Sequence, residues 1–508
     1  MSFLLPLLLA SCDFNFSFLS NSSAANSSAS NSSKTSASIP SSPTSTPSDE
    51  VASPVSADFL DLFEHRSQAS FRITASDSVF AAISNLQGDN NYRKYRDFYF
   101  PVNVEISFKG QTYTYEEAGL RVKGNMSREH FFNNGEFVEK SHFKISFKAT
   151  FDDAEYQSDS NLRPFYHDWS ADANGKKERK KRNFLGLEKV DLKYIPRNFH
   201  EAAAGTEGST LREIYAYDAF RRAGIMAPYA TRGTITLQAS NRSQAGDVEI
   251  VETVDKEFLK RRYSKAEAEG DLYKCVYNHM GPANFSRSDN MDTSNGSHIK
   301  YGGIGVEDTY DDSHGNYLPR YQLKTNDKAK QDSDFSKMTG LMTSLWQCLY
   351  GSGTQQTINS AIDMDEFCRW SAVSFMLGNF DDQRYNSNNF YVYFRPSDNK
   401  AVFLPYDWDW CLGLQMGTQF ENLKPLNSYT FNGAQQSNLY AATLLSSSAK
   451  YDLTANRNLY LGYCSSLKDT VLNIDRYDAL VSATRASVGT ERNTVASYMA
   501  TKRNNCQQ

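Results

Sequence analysis

From Leu377 to Phe394 the chain reads LGNFDDQRYNSNNFYVYF, and from Asn399 to Gly413 it reads NKAVFLPYDWDWCLG. The first segment puts Asp381 and Asn386 on one loop, with four residues between them, directly before an alternating strand from Asn389 to Phe394. A turn then leads into the apolar strand AVFLPY, which runs out into Asp407-Trp408-Asp409. One carboxylate and one carboxamide are thus set on a loop, and two more carboxylates stand at the end of the adjacent strand.

Reading outward, helical spacing occupies Phe335 to Leu349 and Met364 to Leu377, and the composition after Asn456 is again helical. The opposite half is written in strands. FRITASDSVFAAISNL predicts a strand followed by a short helix, with Asp77 as N-cap. VNVEISFKGQTYTYEEAGLRVKGN alternates on both sides of Lys109-Gly110, a hairpin signal, and HFKISFKATF adds another strand. LREIYAYDAFRRAG has helical spacing and stops at Gly224, after which ATRGTITLQ and DVEIVETVD return to strand. The expected class is therefore α+β with two lobes: a strand-rich lobe over 57–255 and a helix-rich lobe over 256–508. The basic run KKERKKR, Lys176 to Arg182, reads as a solvated loop or a docking surface for an acidic partner. The polar stretch from Asn284 to Asn316 lacks EF-hand spacing and reads as an insertion loop.

The 508 residues carry 54 Lys+Arg against 59 Asp+Glu, a formal charge of −5, which argues against a nucleic-acid coat. The amino end, MSFLLPLLLASC, is too short to span a bilayer, which takes about 20 residues, and reads as an export signal over 1–11. Leu9-Ala10-Ser11-Cys12 resembles a bacterial lipobox, making Cys12 a lipidation site and membrane anchor. A plain secretory signal or a chance apolar start are the alternatives, since no Lys or Arg precedes the run. Residues 12–56 are rich in Ser, Asn and Pro and read as a flexible tether. Six further cysteines lie in the second half, enough for three disulfides if the compartment is oxidising, or else buried thiols.

Phosphoryl transfer needs such a set: a carboxylate for the attacking hydroxyl, and a carboxamide with a second carboxylate for magnesium. The Asp-x-x-x-x-Asn spacing matches the catalytic loop of protein kinases, without their His-Arg lead-in. GLRVKGN nearly spells a P-loop, but Asn125 stands where the lysine belongs. Seven blocks in order resemble the spore coat protein H (CotH) family of atypical secretory kinases: GLRVKGNMSR, KSHFKISF, GLEKVDL, STLREIYAYDAFRRAGIMAP, DVEIVETVDKEFLKRRY, LGNFDDQRYN and PYDWDW.

The resemblance implies a bilobal fold, ATP with Mg2+ or Mn2+, and phosphate transfer to Ser or Thr of exported proteins. It implies Asp381 as catalytic aspartate, with Asp382 as competitor for that role, Asn386 and Asp407 as metal ligands, and Asp409 as a further ligand or structural partner. In the strand-rich half, Arg121, Lys123 and Asn125 form a basic edge facing the nucleotide. Lys144 is the expected phosphate lysine, with Lys140 as alternative, and Glu252 the acidic partner of lysine, nucleotide or metal. The rival readings are a noncatalytic surface lipoprotein on the same scaffold and a transferase of AMP.

Overall fold

The computed structural model describes residues 51–88, 93–124, 127–195, 209–277, 281–286, 303–306, 319–326, 335–414, 420–428 and 437–506. The expected signal, Cys12, most of the tether, Asn125 and most of the polar stretch from Asn284 to Asn316 lie outside the described residues.

The first half closes into a barrel. Its strands are β1 (Ala69–Ala75), β2 (Phe100–Phe108), β3 (Gln111–Lys123), β6 (His142–Ser146), β7 (Lys189–Tyr194), β8 (Ala230–Ala239) and β9 (Arg242–Glu252), ordered β1-β2-β3-β6-β7-β9-β8. The short strands β4 (Phe132–Asn133) and β5 (Glu136–Phe137) form a separate hairpin. Alternation decides the inside: Phe100, Val102, Val104, Ile106 and Phe108 of β2 are buried, with Glu105 and Ser107 turned out. Each such side chain contributes about 1.5–3 kcal/mol on burial. Lys109 and Gly110 both take positive φ (51° and 74°) between the paired Phe108 and Gln111, so the predicted two-residue turn forms as read. Closure comes from β1 lying parallel to β8, Phe71 opposite Ile235 and Ile73 opposite Leu237. The expected sheet is therefore a closed barrel with one parallel seam.

Two local expectations change. Ser76, not Asp77, caps the Asp77–Gln87 helix, accepting from the Val79 N–H. The basic run is no simple loop. Residues Ala173–Arg179 are helical, Lys176 pairs with Asp152, and Arg179 pairs with Glu117 while lying 4.8 Å from the Trp169 ring centroid.

The second half is built on a five-stranded sheet, β11-β12-β10-β13-β14, from β10 (Asp271–Cys275), β11 (Ile304–Val306), β12 (Tyr321–Leu323), β13 (Phe390–Phe394) and β14 (Ala401–Pro405). One face, with Tyr273, Phe390, Val392 and Phe403, packs in a core with the helices Ser336–Tyr350, Met364–Leu377, Thr454–Val471 and Glu491–Asn505. The other face carries Leu272, Tyr391, Val402, Leu404 and Tyr406 against Val254, Phe258 and Leu259. The barrel side chains make a second large core of their own. The Arg212–Arg222 helix precedes residue 256 in the chain but packs in the first of these cores. All six later cysteines are buried free thiols. No helix among the described residues is long and apolar enough to cross a membrane.

Candidate active site

The site begins with a lysine. β7 alternates so that Val190, Leu192 and Tyr194 fill the barrel, which leaves Asp191 and Lys193 on its outer face. Lys193 Nζ donates to both carboxylate oxygens of Glu213, at 2.8 and 2.7 Å, and also to Asp407. Lys193 and Glu213 side chains are only 2% and 0% exposed, whereas Asp407 is 35% exposed and opens the pair to solvent. Glu213 sits in the first turn of the Arg212–Arg222 helix, one turn before Tyr217 on the same face. The Tyr217 hydroxyl donates to Glu213 at 2.6 Å and accepts from the Asp407 N–H at 2.9 Å.

Asp407 follows β14 with φ of +57°, a left-handed backbone that a non-glycine residue adopts only when its surroundings hold it there. Those surroundings are the Tyr217 hydroxyl on its N–H and the Asn379 amide on its carbonyl at 3.2 Å. Trp408 turns inward, fully buried, and meets Phe220 at 4.8 Å between ring centroids. That leaves Asp407 and Asp409 partly exposed on either side of it.

The loop bearing Asp381 starts where the Met364–Leu377 helix ends at Gly378, in the left-handed region. A Cβ at Gly378 would fall 1.8 Å from the Tyr498 hydroxyl, so only glycine fits. Asp381 accepts from Asn386 Nδ2 at 2.6 Å, Asn388 Nδ2 at 3.0 Å and Asn389 Nδ2 at 2.8 Å. Burial, reinforced by the charges of Asp407 and Asp409, pushes its carboxyl up to about 7 in spite of those amides. Asp382 turns the other way. It is 1% exposed and accepts from the N–H groups of Arg384 (2.8 Å) and Tyr385 (3.3 Å), holding the turn itself.

In the strand-rich half, Arg121 pairs with Asp97 at 2.9 Å, and Lys123 and Lys144 reach Asp191 at 3.4 and 3.3 Å. The Asp191 carboxyl is held down near 2, because Lys123, Lys144 and Lys193 outweigh its burial. The lysine that meets a helix glutamate is thus Lys193, while Lys144 serves Asp191 and Lys140 lies 5.3 Å from the Tyr194 ring. Glu252 engages Arg261 (2.8 Å), Arg262 (2.7 Å) and the Tyr229 N–H (3.0 Å), tying the end of β9 to the following helix. Both its oxygens are thereby taken by arginines.

Among the described residues no three His, Cys, Asp or Glu side chains already form a closed metal-holding group. The donor chemistry nevertheless suits a hard cation: Asp381 feels the like charges of Asp407 and Asp409, and a divalent ion would relieve that repulsion.

The family model described as "CotH kinase protein" matches residues 120–505. The chain belongs to the CotH kinase family. The match spans every described element of this CotH kinase site, from Arg121 through the Lys193–Glu213 pair to Asp409. Among solved structures, the crystal structure of a Helicobacter pylori proinflammatory kinase, CtkA, is similar at 12% identity. It covers 62% of this chain and 87% of its own with a TM-score of 0.26. No curated protein matches the chain.

Lys193 and Glu213 carried a signal that the sequence reading passed over. In Val190-Asp-Leu-Lys193 apolar and charged residues alternate as in a strand that ends on a lysine, and a helix opening with Leu211-Arg-Glu213 follows, the order of a kinase strand lysine and its helix glutamate.

Proposed function

We propose that the protein is an exported, lipid-anchored, metal-dependent protein kinase that transfers phosphate from ATP to Ser or Thr of exported or surface proteins. The observation that carries this reading is the Lys193 ammonium joining a helix glutamate, Glu213, to a strand-end aspartate, Asp407. Kinase catalysis requires that ion pair and that aspartate together. The barrel core and the helical core are the two lobes in this reading.

Lys193 neutralises charge on the nucleotide phosphates, and Glu213 with Tyr217 keeps it aimed. Asp381, fixed by three amides, accepts the proton of the acceptor hydroxyl as its oxygen attacks the terminal phosphorus and the bridging oxygen leaves with ADP. Asp407, Asn386 and Asp409 would hold the divalent ion, Mg2+ or Mn2+, whose charge offsets that of the phosphates. Export and anchoring are supported by the apolar run ending at Cys12.

Incubation with γ-labelled and α-labelled ATP tests the reaction. Label from the γ-position on a protein acceptor is expected. Label from the α-position would mean AMP transfer, and no label from either would leave a noncatalytic scaffold.

A further inference from the structure

A cavity of about 340 Å³ opens at the C-terminal end of the Arg212–Arg222 helix. That volume lies at the low end for ligand pockets, which run from about 300 to 1,000 Å³. Part of its lining is apolar, Val55 and Met226 among it. The segment bearing Val55 is pinned by the Ala52 N–H on the Tyr263 carbonyl at 2.8 Å and the Ser53 N–H on the Lys260 carbonyl at 2.9 Å. The rest is cationic and aromatic, from Arg221, Arg261, Arg262 and Tyr229, and no lining residue is acidic. Arg221 stands in the last turn of the helix whose first turn holds Glu213, about 12 Å further along the axis.

The arginines outnumber the carboxylates that meet them. Arg261 and Arg262 both pair with Glu252, at 2.8 and 2.7 Å. Among the described residues Arg221 has no carboxylate within ion-pair distance; it donates to the Pro228 carbonyl and lies 4.3 Å from the Tyr229 ring centroid. Asp218, the other carboxylate whose charge reaches Arg221, is itself held by Arg222 at 2.6 Å and Arg476 at 2.7 Å. Burial, with the charge of Arg262 adding to it, holds the Arg221 guanidinium down to about 10 against Asp218, Tyr229 and Glu252. One carboxylate, Glu252, thus serves the three pocket arginines, and two of their charges are unmatched. A phosphate monoester carries about −1.5 to −2 charge at neutral pH and accepts from several guanidinium donors at once. It fits that surplus, where a carboxylate offsets only one charge.

We propose that this pocket binds a phosphorylated serine or threonine side chain of a protein acceptor, with an apolar neighbour of that residue against Val55 and Met226. It is a docking site apart from the place of transfer. An acceptor that already carries a phosphate is retained there while a further hydroxyl is presented to Asp381. That last consequence rests on the kinase reading above; the binding itself does not.

The test is fluorescence anisotropy on the full chain, without nucleotide or metal, using a short labelled peptide with one phosphoserine beside a leucine. The phosphopeptide is expected to bind, and the same peptide with serine or glutamate in that place at least tenfold more weakly. Inorganic phosphate should compete only at concentrations at least tenfold above those of unlabelled phosphopeptide. Equal competition would mean a site for free phosphate and would overturn the acceptor assignment. Arg221→Gln and Met226→Glu should each weaken the phosphopeptide by tenfold or more. The second removes no ionic contact, so it is read alone should Arg221→Gln fold poorly. Asp381→Asn should keep the affinity, and so should Lys181→Met, in the basic run and 70% exposed. Loss of binding in either of those two, undiminished binding in the folded pocket variants, or no binding by the parent overturns the pocket. Arg221-dependent binding in a protein that labels no acceptor would sink the kinase reading and leave the pocket standing. Label transfer by a protein whose phosphopeptide affinity ignores Arg221 would do the reverse.

Discussion

Asp381 and Asp382 differ by one position and by everything that surrounds them. Asp381 is partly exposed, beside Asp407 and Asp409, and its carboxylate is presented by side-chain amides. Asp382 is buried and spends its oxygen on backbone N–H groups of its own turn. Asp381→Asn is therefore expected to cut phosphate transfer by roughly 10² or more with little change in melting temperature. Asp382→Asn should instead lower the melting temperature and reduce activity only in proportion to folded protein. A labelled transfer assay beside a thermal melt reads both, and equal melting losses in the two variants would remove the distinction. The two aspartates could not be ranked from sequence because the turn that uses Asp382 is visible only once Arg384 and Tyr385 have their positions. Lys193 is hidden in the sequence for a similar reason: Lys144, Lys140 and Lys193 differ little as lysines in or beside strands, and burial against a distant glutamate is what sets Lys193 apart.

The element that orients the site is the Arg212–Arg222 helix, and its own sequence does not cap it: Leu211 offers no side-chain hydrogen bond. Glu491, 0% exposed, supplies the cap from the far end of the chain. It accepts from the N–H groups of Thr210 (2.7 Å) and Leu211 (2.9 Å), from Arg212 (2.9 Å) and from the Tyr477 hydroxyl (2.6 Å). A carboxylate there also suits the positive end of the helix. Glu491→Gln removes the negative partner of the buried Arg212–Glu491 ion pair and should cost about 3–5 kcal/mol of stability. In the fraction that remains folded, turnover should fall with the loosened Glu213, and denaturant titration with single-turnover kinetics separates the two effects. Full turnover in that fraction would mean that Glu491 braces the fold without positioning the site. What local sequence could reveal at this scale was local in its physics. The Lys109-Gly110 hairpin and the Gly378 stop follow from period and φ, whereas the β1–β8 seam and the cap from Glu491 join residues more than 150 positions apart. Strands β10 to β12 are three to five residues long, too short to show a period.

At the scale of the whole molecule, the six later cysteines lie in one core, and none is bonded to another. Burial raises the thiols of Cys368 and Cys464, so neither is a ready nucleophile. All six should resist alkylation in the native protein and react once it is unfolded without reductant. Mass spectrometry showing fewer than six labels in the unfolded, unreduced protein would contradict the free-thiol core. A second expectation concerns acid. His65 accepts or donates at 2.8 Å with Thr231, and burial, with the charges of Arg221 and Arg476 outweighing Asp218, holds its imidazole down to about 4. Between about pH 6.5 and pH 4 the unfolded chain takes up a proton that the native state refuses, so stability falls as pH falls through that window. His65→Gln should flatten this part of the stability–pH curve, as followed by denaturant midpoints. An unchanged slope would assign the acid sensitivity elsewhere.

The barrel seam also sets an order of events in time. β1 cannot find its parallel neighbour until Ala239 has left the ribosome, and Lys193 meets Asp407 only across 214 further residues. The cap on the Glu213 helix waits longer still, for Glu491. Contacts this distant in sequence are slow to form, and here the last of them complete the site. The growing chain therefore lacks its assembled site until Glu491 has been added, and a product truncated before Asp407 leaves Lys193 without the aspartate it meets there.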